Sequence, residues 1–219
     1  MKFKHAVLFC IFLSIAFQRN NIRAFEINWD DDTAKVGYIH QREYYDTVLE
    51  LIHKAKKSIV MQMYFVDSTK RGDDPIVFKL VDSLVKAKNR GVKVKCILEN
   101  EVLMNNRAYT YLNKNGIETY WDHDTQTTHS KIIVIDKKTV VVGSTNWSER
   151  ALRMNNEASV IIESEKVAQT VLAELSKQKV MDLADADDKS SKDVVYIPEE
   201  FLINKKYASK MMSQSSERA

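Results

Sequence analysis

A chain of 219 residues that is 44% hydrophobic and 29% charged, with only 5 Gly and 2 Pro, is long enough to bury a core and has the makeup of a globular protein built from long regular elements. That excludes disordered and fibrous classes. The formal net charge of +3 is owed to residues 1–24, where Lys2, Lys4, Arg19 and Arg23 stand without an acidic partner; the remainder holds 29 basic and 30 acidic residues, so net charge gives no argument for a nucleic-acid partner.

In chain order, the first segment is an uncharged run from Ala6 to Phe17 behind Lys2 and Lys4, turning polar at Gln18. The run is shorter than the ~20 apolar residues of a spanning helix, which predicts a signal peptide over residues 1–24, with an uncleaved membrane anchor through residues 3–17 as the alternative. Either way the chain is expected to be exported: periplasmic, secreted or membrane-anchored. Cys10 lies in this run and Cys96 in a predicted strand, so neither an internal disulfide nor a Cys/His zinc cluster is expected.

The body of the chain spans residues 25–181. Tyr45, Val48, Leu49, Ile52 and Ala55 form a helical stripe, closed by Lys54, Lys56 and Lys57. The nearly continuous apolar run Ser58 to Val66 predicts a strand covered on both faces. A polar loop from Asp67 to Asp74 follows, then a helix opened by Pro75 and ended by Gly91. Further expectations are a strand over Val92 to Leu98, a helix over Asn106 to Lys114 and a strand over Ile117 to Trp121. Strands over Ile132 to Ile135 and Val140 to Val142 flank Asp136-Lys137-Lys138-Thr139 as a tight hairpin. A strand from Ala158 to Ile162 leads into a helix carrying Val167, Ala168, Val171, Leu172 and Leu175. This order predicts an α/β sandwich with a mixed sheet flanked by helices. Residues 182–219 read as a polar linker and tail.

Between the Trp121 strand and the hairpin stand His129, Lys131 and Asp136, followed by Gly143, Ser144 and Asn146, and later by Glu157. This pattern, HxK(x)4D(x)6GSxN, resembles the signature of the phospholipase D superfamily with no departure at any fixed position. The order of elements from about Tyr45 to Lys179 is similar to that of the compact single-motif endonucleases of that superfamily, which place a carboxylate where Glu157 falls. The resemblance implies a phospholipase D-like fold and phosphodiester chemistry without metal or other cofactor. The superfamily also includes phospholipases and transphosphatidylases, so reaction type is implied more firmly than substrate. A nuclease acting on DNA or RNA is the first reading and a phospholipid hydrolase or transferase the second. A catalytically silent nucleic-acid-binding module is third, and the intact motif argues against it.

The residue types themselves speak to that chemistry. His129 and Lys131, two apart at the start of a strand, are expected on one side. Imidazole can attack phosphorus near neutral pH to give a phosphohistidine. Lys131 and Asn146 are expected to hold the nonbridging oxygens, with Ser144 adding a donor, and Glu157 to accept a hydrogen bond from the other ring nitrogen of His129. Asp136, at a hairpin corner, is read as a turn-former bonding its own backbone and as support only. A second histidine must protonate the leaving oxygen from the opposite face, and the chain carries one motif; the resemblance therefore implies a homodimer with a shared active site.

Other candidates have blander readings. Arg150 and Arg153 are equally phosphate contacts or a solvated helical face. Trp147 and Tyr120 are more often core than base-stacking residues by roughly two to one. Asp122-His123-Asp124 lacks metal-ligand spacing, and no metal is assigned.

Overall fold

The computed structural model describes residues 33–181, apart from Arg71 and Asp124; the leader, the predicted anchor at residues 3–17 and the tail lie outside the described residues. Eight strands form one mixed sheet in the order β1-β7-β6-β5-β2-β3-β4-β8. Strands β2 (Ser58–Met63), β3 (Lys93–Leu98) and β4 (Glu118–Asp122) are parallel neighbours. Parallel pairing needs crossovers, supplied by the helices α2 (Ile76–Asn89) and α3 (Asn105–Lys114). The other half is antiparallel: β5 (Lys131–Ile135) lies against β2, β6 (Thr139–Gly143) against β5, β7 (Ser159–Glu163) against β6, and β1 (Lys35–Ile39) closes that edge. At the opposite edge β8 (Val180–Met181) pairs with β4.

The sheet separates two apolar clusters. On one face Ile59, Met61, Met63 and Cys96 pack with Val48 and Ile52 of α1 (Tyr44–Lys54), Leu80 and Leu84 of α2, and Tyr109 and Leu112 of α3. On the other, Val60, Ile97, Val134 and Val140 pack with Ala168, Leu172 and Leu175 of α5 (Glu165–Ser176). Strand β2 therefore needs apolar residues on both faces, and all six of its residues are buried. Cys96 is fully buried, and burial raises its thiol pKa, in keeping with a packing role.

Three elements go beyond the sequence reading: β1, the five-residue helix α4 (Glu149–Arg153) and β8. Strand β2 is also shorter than its apolar run. Its last residue is Met63: the Tyr64 N–H still follows the β5 register to Ser130 O at 3.1 Å, but Phe65 O accepts the Trp147 N–H and Val66 bridges Trp147 instead. This departure opens the sheet at the end where the motif residues gather.

Candidate active site

The motif residues other than Asp136 lie at the end of the sheet formed by the C-terminal ends of β2, β3, β4 and β6 and the N-terminal ends of β5 and β7. His129 lies two residues before β5 and is exposed, whereas Lys131, the first residue of β5, is buried beside it. As the spacing predicts, they meet on one side: the Lys131 Nζ is 3.2 Å from His129 Nδ1 and 3.5 Å from Nε2, and it donates to His129 O at 2.6 Å. The Tyr64 ring backs both groups, its centroid 4.5 Å from that of the imidazole and 4.9 Å from Nζ. Burial lowers the Lys131 pKa, and the Glu157 carboxylate opposes that shift.

Gly143 and Ser144 leave β6 where it runs tight against β7. A Cβ on Gly143 would sit 2.2 Å from Ser159 Oγ and 2.3 Å from Ala158 O, so only glycine permits this approach. It brings Ser144 to Glu157. The bond expected from Glu157 to His129 is not made in this chain: Glu157 accepts from the Ser144 hydroxyl through Oε2 and from Asn155 Nδ2 through Oε1 at 3.0 Å. Both oxygens are thus occupied by nearer donors, and the ring nitrogens of His129 face Lys131. Ser144, expected to donate to phosphate, donates its hydroxyl hydrogen bond to Glu157 and accepts the Ala158 N–H at 3.0 Å. Its support is to the carboxylate. Asn146 Oδ1 is buried with no hydrogen-bond partner among the described residues, an exception among buried amides.

Asp136 departs from its sequence reading in an informative way. Asp136 and Lys137 take φ of 53° and 57°, the type I′ geometry of a tight hairpin. The carboxylate does not bond its own turn. It reaches across to the backbone N–H groups of Lys56 (2.9 Å), Lys57 (2.6 Å) and Ser58 (3.0 Å), joining the β5–β6 hairpin to the start of β2. Asp136 thus stands at the end of β5 opposite Lys131 and serves the frame.

Arg153 is not a free phosphate ligand, since it donates to Asp74 O at 3.1 Å and Oδ2 at 2.9 Å and approaches Glu149 at 3.6 Å. It pins the far end of the loop that begins at Asp67. Hydrogen bonds from Lys79 and then Arg153 hold the Asp74 pKa below its ordinary value. Arg150 is exposed. Trp147 is fully buried, with Nε1 3.4 Å from the Tyr44 hydroxyl, so the core reading holds for it; burial pushes Tyr44 up to about 12. Asp122 is buried and accepts two backbone N–H groups, and no group of three or more potential metal ligands forms among the described residues.

Two positions went unnoticed in the sequence. Asn105 is fully buried; it accepts the Val66 N–H at 2.7 Å and donates to Tyr64 O and Glu99 O at 2.9 and 2.8 Å, stitching the exits of β2 and β3 beside His129. Glu99 accepts the N–H of Thr128, the residue before His129. Neither carries a sequence signal, because each acts through backbone groups distant along the chain. A cleft of about 530 Å³ opens beside His129, lined by Gln62, Gln126, Ser130 and Gln178 with Ile132 and Val171.

Comparison with known proteins agrees with this geometry. The family model described as "Cardiolipin synthase, PLD-like domain" matches residues 48–179. A phospholipase D of Rickettsia prowazekii is 32% identical over 126 residues, 57% of each chain, and a mitochondrial cardiolipin hydrolase of Canis lupus familiaris is 33% identical over 89 residues, 40% of this chain and 35% of that one. This chain thus spans little more than half the length of the first relative and about a third of the second. Among solved structures, Nuc from Salmonella typhimurium, a phospholipase D family member, superposes with a TM-score of 0.55 at 29% identity, covering 65% of this chain and 90% of that one. NucT from Helicobacter pylori shares the fold at 18% identity, with a TM-score of 0.54 over 75% of this chain and 99% of that one. With His129, Lys131 and Asn146 at one end of the expected mixed sheet, the chain belongs to the phospholipase D superfamily.

Proposed function

We propose that this protein is a metal-independent nuclease that hydrolyses DNA or RNA backbones through a phosphohistidine, in a site completed by a second copy of the chain. The observation that carries the chemistry is the exposed His129 imidazole set 3.2 Å from a buried lysine ammonium. His129 attacks phosphorus, a P–N bond forms and the P–O bond to the leaving oxygen breaks. Lys131 and Asn146 meet the charge on the nonbridging oxygens. The His129 of the second copy gives its proton to the leaving oxygen, then takes one from the water that breaks the P–N bond.

Nucleic acid is favoured by the cleft beside His129, whose amide and hydroxyl side chains suit a sugar-phosphate backbone and base edges. A second reading, a phospholipid headgroup phosphodiester, is favoured by Leu103 and Met104, which are 79% and 45% exposed on the turn after β3, at the sheet end that bears the site. Export, by cleavage of the leader or anchoring through it, is part of the proposal.

Incubation of the purified protein with single- and double-stranded DNA, RNA and phosphatidyl-lipid vesicles, each with and without EDTA, tests both parts. Cleavage of nucleic acid is expected, with rates in chelator within about twofold of those without, since lysine and histidine supply the charge and nucleophile. Turnover of the vesicles alone would replace the nuclease reading with the lipid one. Loss of all activity in EDTA, restored by Mg²⁺ or Zn²⁺, would overturn the mechanism.

A further inference from the structure

Two buried carboxylates converge on the residue before the nucleophile. Glu99, which follows β3, and Asp122, the last residue of β4, are 1% and 3% exposed. Both accept the Thr128 N–H, Asp122 through Oδ2 at 2.9 Å and Glu99 through Oε2. Their other oxygens hold the adjoining turn, where Asn100 N–H donates to Asp122 Oδ1 at 2.8 Å and Glu101 N–H to Glu99 Oε1 at 3.3 Å. Sheet register explains the meeting: β3 and β4 are parallel with Leu98 beside Trp121, so the next residue of each emerges at the same end. From there the chain returns through residues 123–128 to β5.

Two buried carboxylates on one N–H cannot both carry full charge without strong repulsion, and a single proton between them relieves it. Among the described residues no ion pair neutralises either one. Burial, then the hydrogen bond with Asp122 and its charge, push Glu99 up to about 7.

Resting on the phosphodiesterase reading, we propose that Glu99 is a positioning residue for His129: as a carboxylic acid it donates to Asp122, and the closed pair fixes Thr128 and so the imidazole one residue later. Ionisation of Glu99 sets two charges against each other, loosens their hold on Thr128 and withdraws the nucleophile. Glu99 is ordinarily half ionised near pH 4.5, so its raised folded value makes its contribution to stability complete below that pH and lost as pH rises through about 7. A glutamine there keeps a donor for Asp122 and cannot ionise.

The test compares wild type with Glu99→Gln and Glu99→Ala from pH 5 to 9, reading hydrolysis of bis(4-nitrophenyl) phosphate and melting temperature. The ratio of Glu99→Gln to wild-type kcat/KM should rise roughly tenfold or more between pH 6 and pH 8.5, as one ionisation leaves the profile. The melting temperature of Glu99→Gln should fall less over the same range, and Glu99→Ala should lose activity at every pH. Superimposable wild-type and Glu99→Gln profiles in both measurements would overturn the proposal. Should wild type fail to hydrolyse the diester, the phosphodiesterase reading fails, and the melting curves alone then decide the role of Glu99. If Glu99→Gln does not fold, Asp122→Asn replaces it: removing the charge that helps to keep Glu99 protonated should move the wild-type pH dependence to lower pH, and an unmoved profile would overturn the pair.

Discussion

The His129→Ala variant should lose phosphodiester hydrolysis by at least ~10³-fold, the scale seen when a nucleophile is removed, while melting within a few degrees of wild type. The two halves of this expectation rest on different observations. His129 is exposed, and its side chain touches Lys131 and Tyr64 rather than either apolar cluster, so its removal leaves the core whole. No other histidine among the described residues belongs to the motif, so nothing nearby replaces it. Lys131→Ala should cost ~10²-fold or more, as expected for a group that stabilises developing charge. Turnover of the purified variants, with circular dichroism to confirm folding, decides the matter. Near-normal turnover by His129→Ala would show that the nucleophile lies elsewhere.

The largest stability effect is expected at Asp136. Its carboxylate receives the N–H groups of three successive residues, Lys56, Lys57 and Ser58, about eighty positions away in the chain. Replacement by alanine leaves those donors without their acceptor at the start of the central strand β2, and also places a residue other than Asp, Asn or Gly at φ 53°. Charge-assisted hydrogen bonds of this kind contribute ~1.5–3 kcal/mol each at most, so Asp136→Ala should lower unfolding free energy by about 3–5 kcal/mol. Asp136→Asn, which tolerates the backbone conformation and keeps one acceptor, should cost roughly half as much. Denaturant unfolding measures both. Equal losses for the two variants would mean that the carboxylate charge contributes nothing to the junction.

Asp136 also shows where sequence reading stops. The hairpin is legible because Asp136 and Lys137 lie between two apolar runs, and that signal is local. The partners of the carboxylate are not, since they depend on β2 lying next to β5, which no spacing states. The same division runs through the site. The meeting of His129 with Lys131 follows from a period of two at the start of a strand, and the sequence predicts it. Glu157 stands at the Lys131 end of the sheet, and its bonds are decided by competition among side chains: Ser144 and Asn155 donate to it. Asn105, Glu99 and Asp122 organise the backbone around the nucleophile through contacts between strand exits, and nothing in their local sequence announces it.

Among the elements, the buried strands and amphipathic helices were legible from apolar pattern alone. The edge strand β1, Lys35–Ile39, was not, because only Ile39 is buried and Gly37 interrupts the pattern. Gly37 is there for closeness, since a Cβ would meet Ile161 Cγ2 at 2.9 Å. Helix α4 has five residues and shows no helical period; its signal is Ser148, whose side chain accepts the Ala151 N–H at 3.2 Å. The apolar run to Val66 overstated β2 because hydrophobicity does not report the change of hydrogen-bond partner to Trp147 at Phe65 and Val66.

In the proposed mechanism one chain supplies half of an active site, with His129 acting as nucleophile in one copy and as acid in the other. It is tested most directly by mixing wild type with His129→Ala, verifying subunit exchange by mass, and measuring nuclease activity against mixing ratio. A mixed dimer retains one of the two histidines, and either the nucleophile or the acid is missing in each orientation of substrate. After random exchange of equal amounts, activity should fall to about a quarter of the wild-type value, the fraction of dimers with both copies intact. A decline in proportion to the wild-type fraction, leaving about half at equal amounts, would mean independent sites and rule out the shared one.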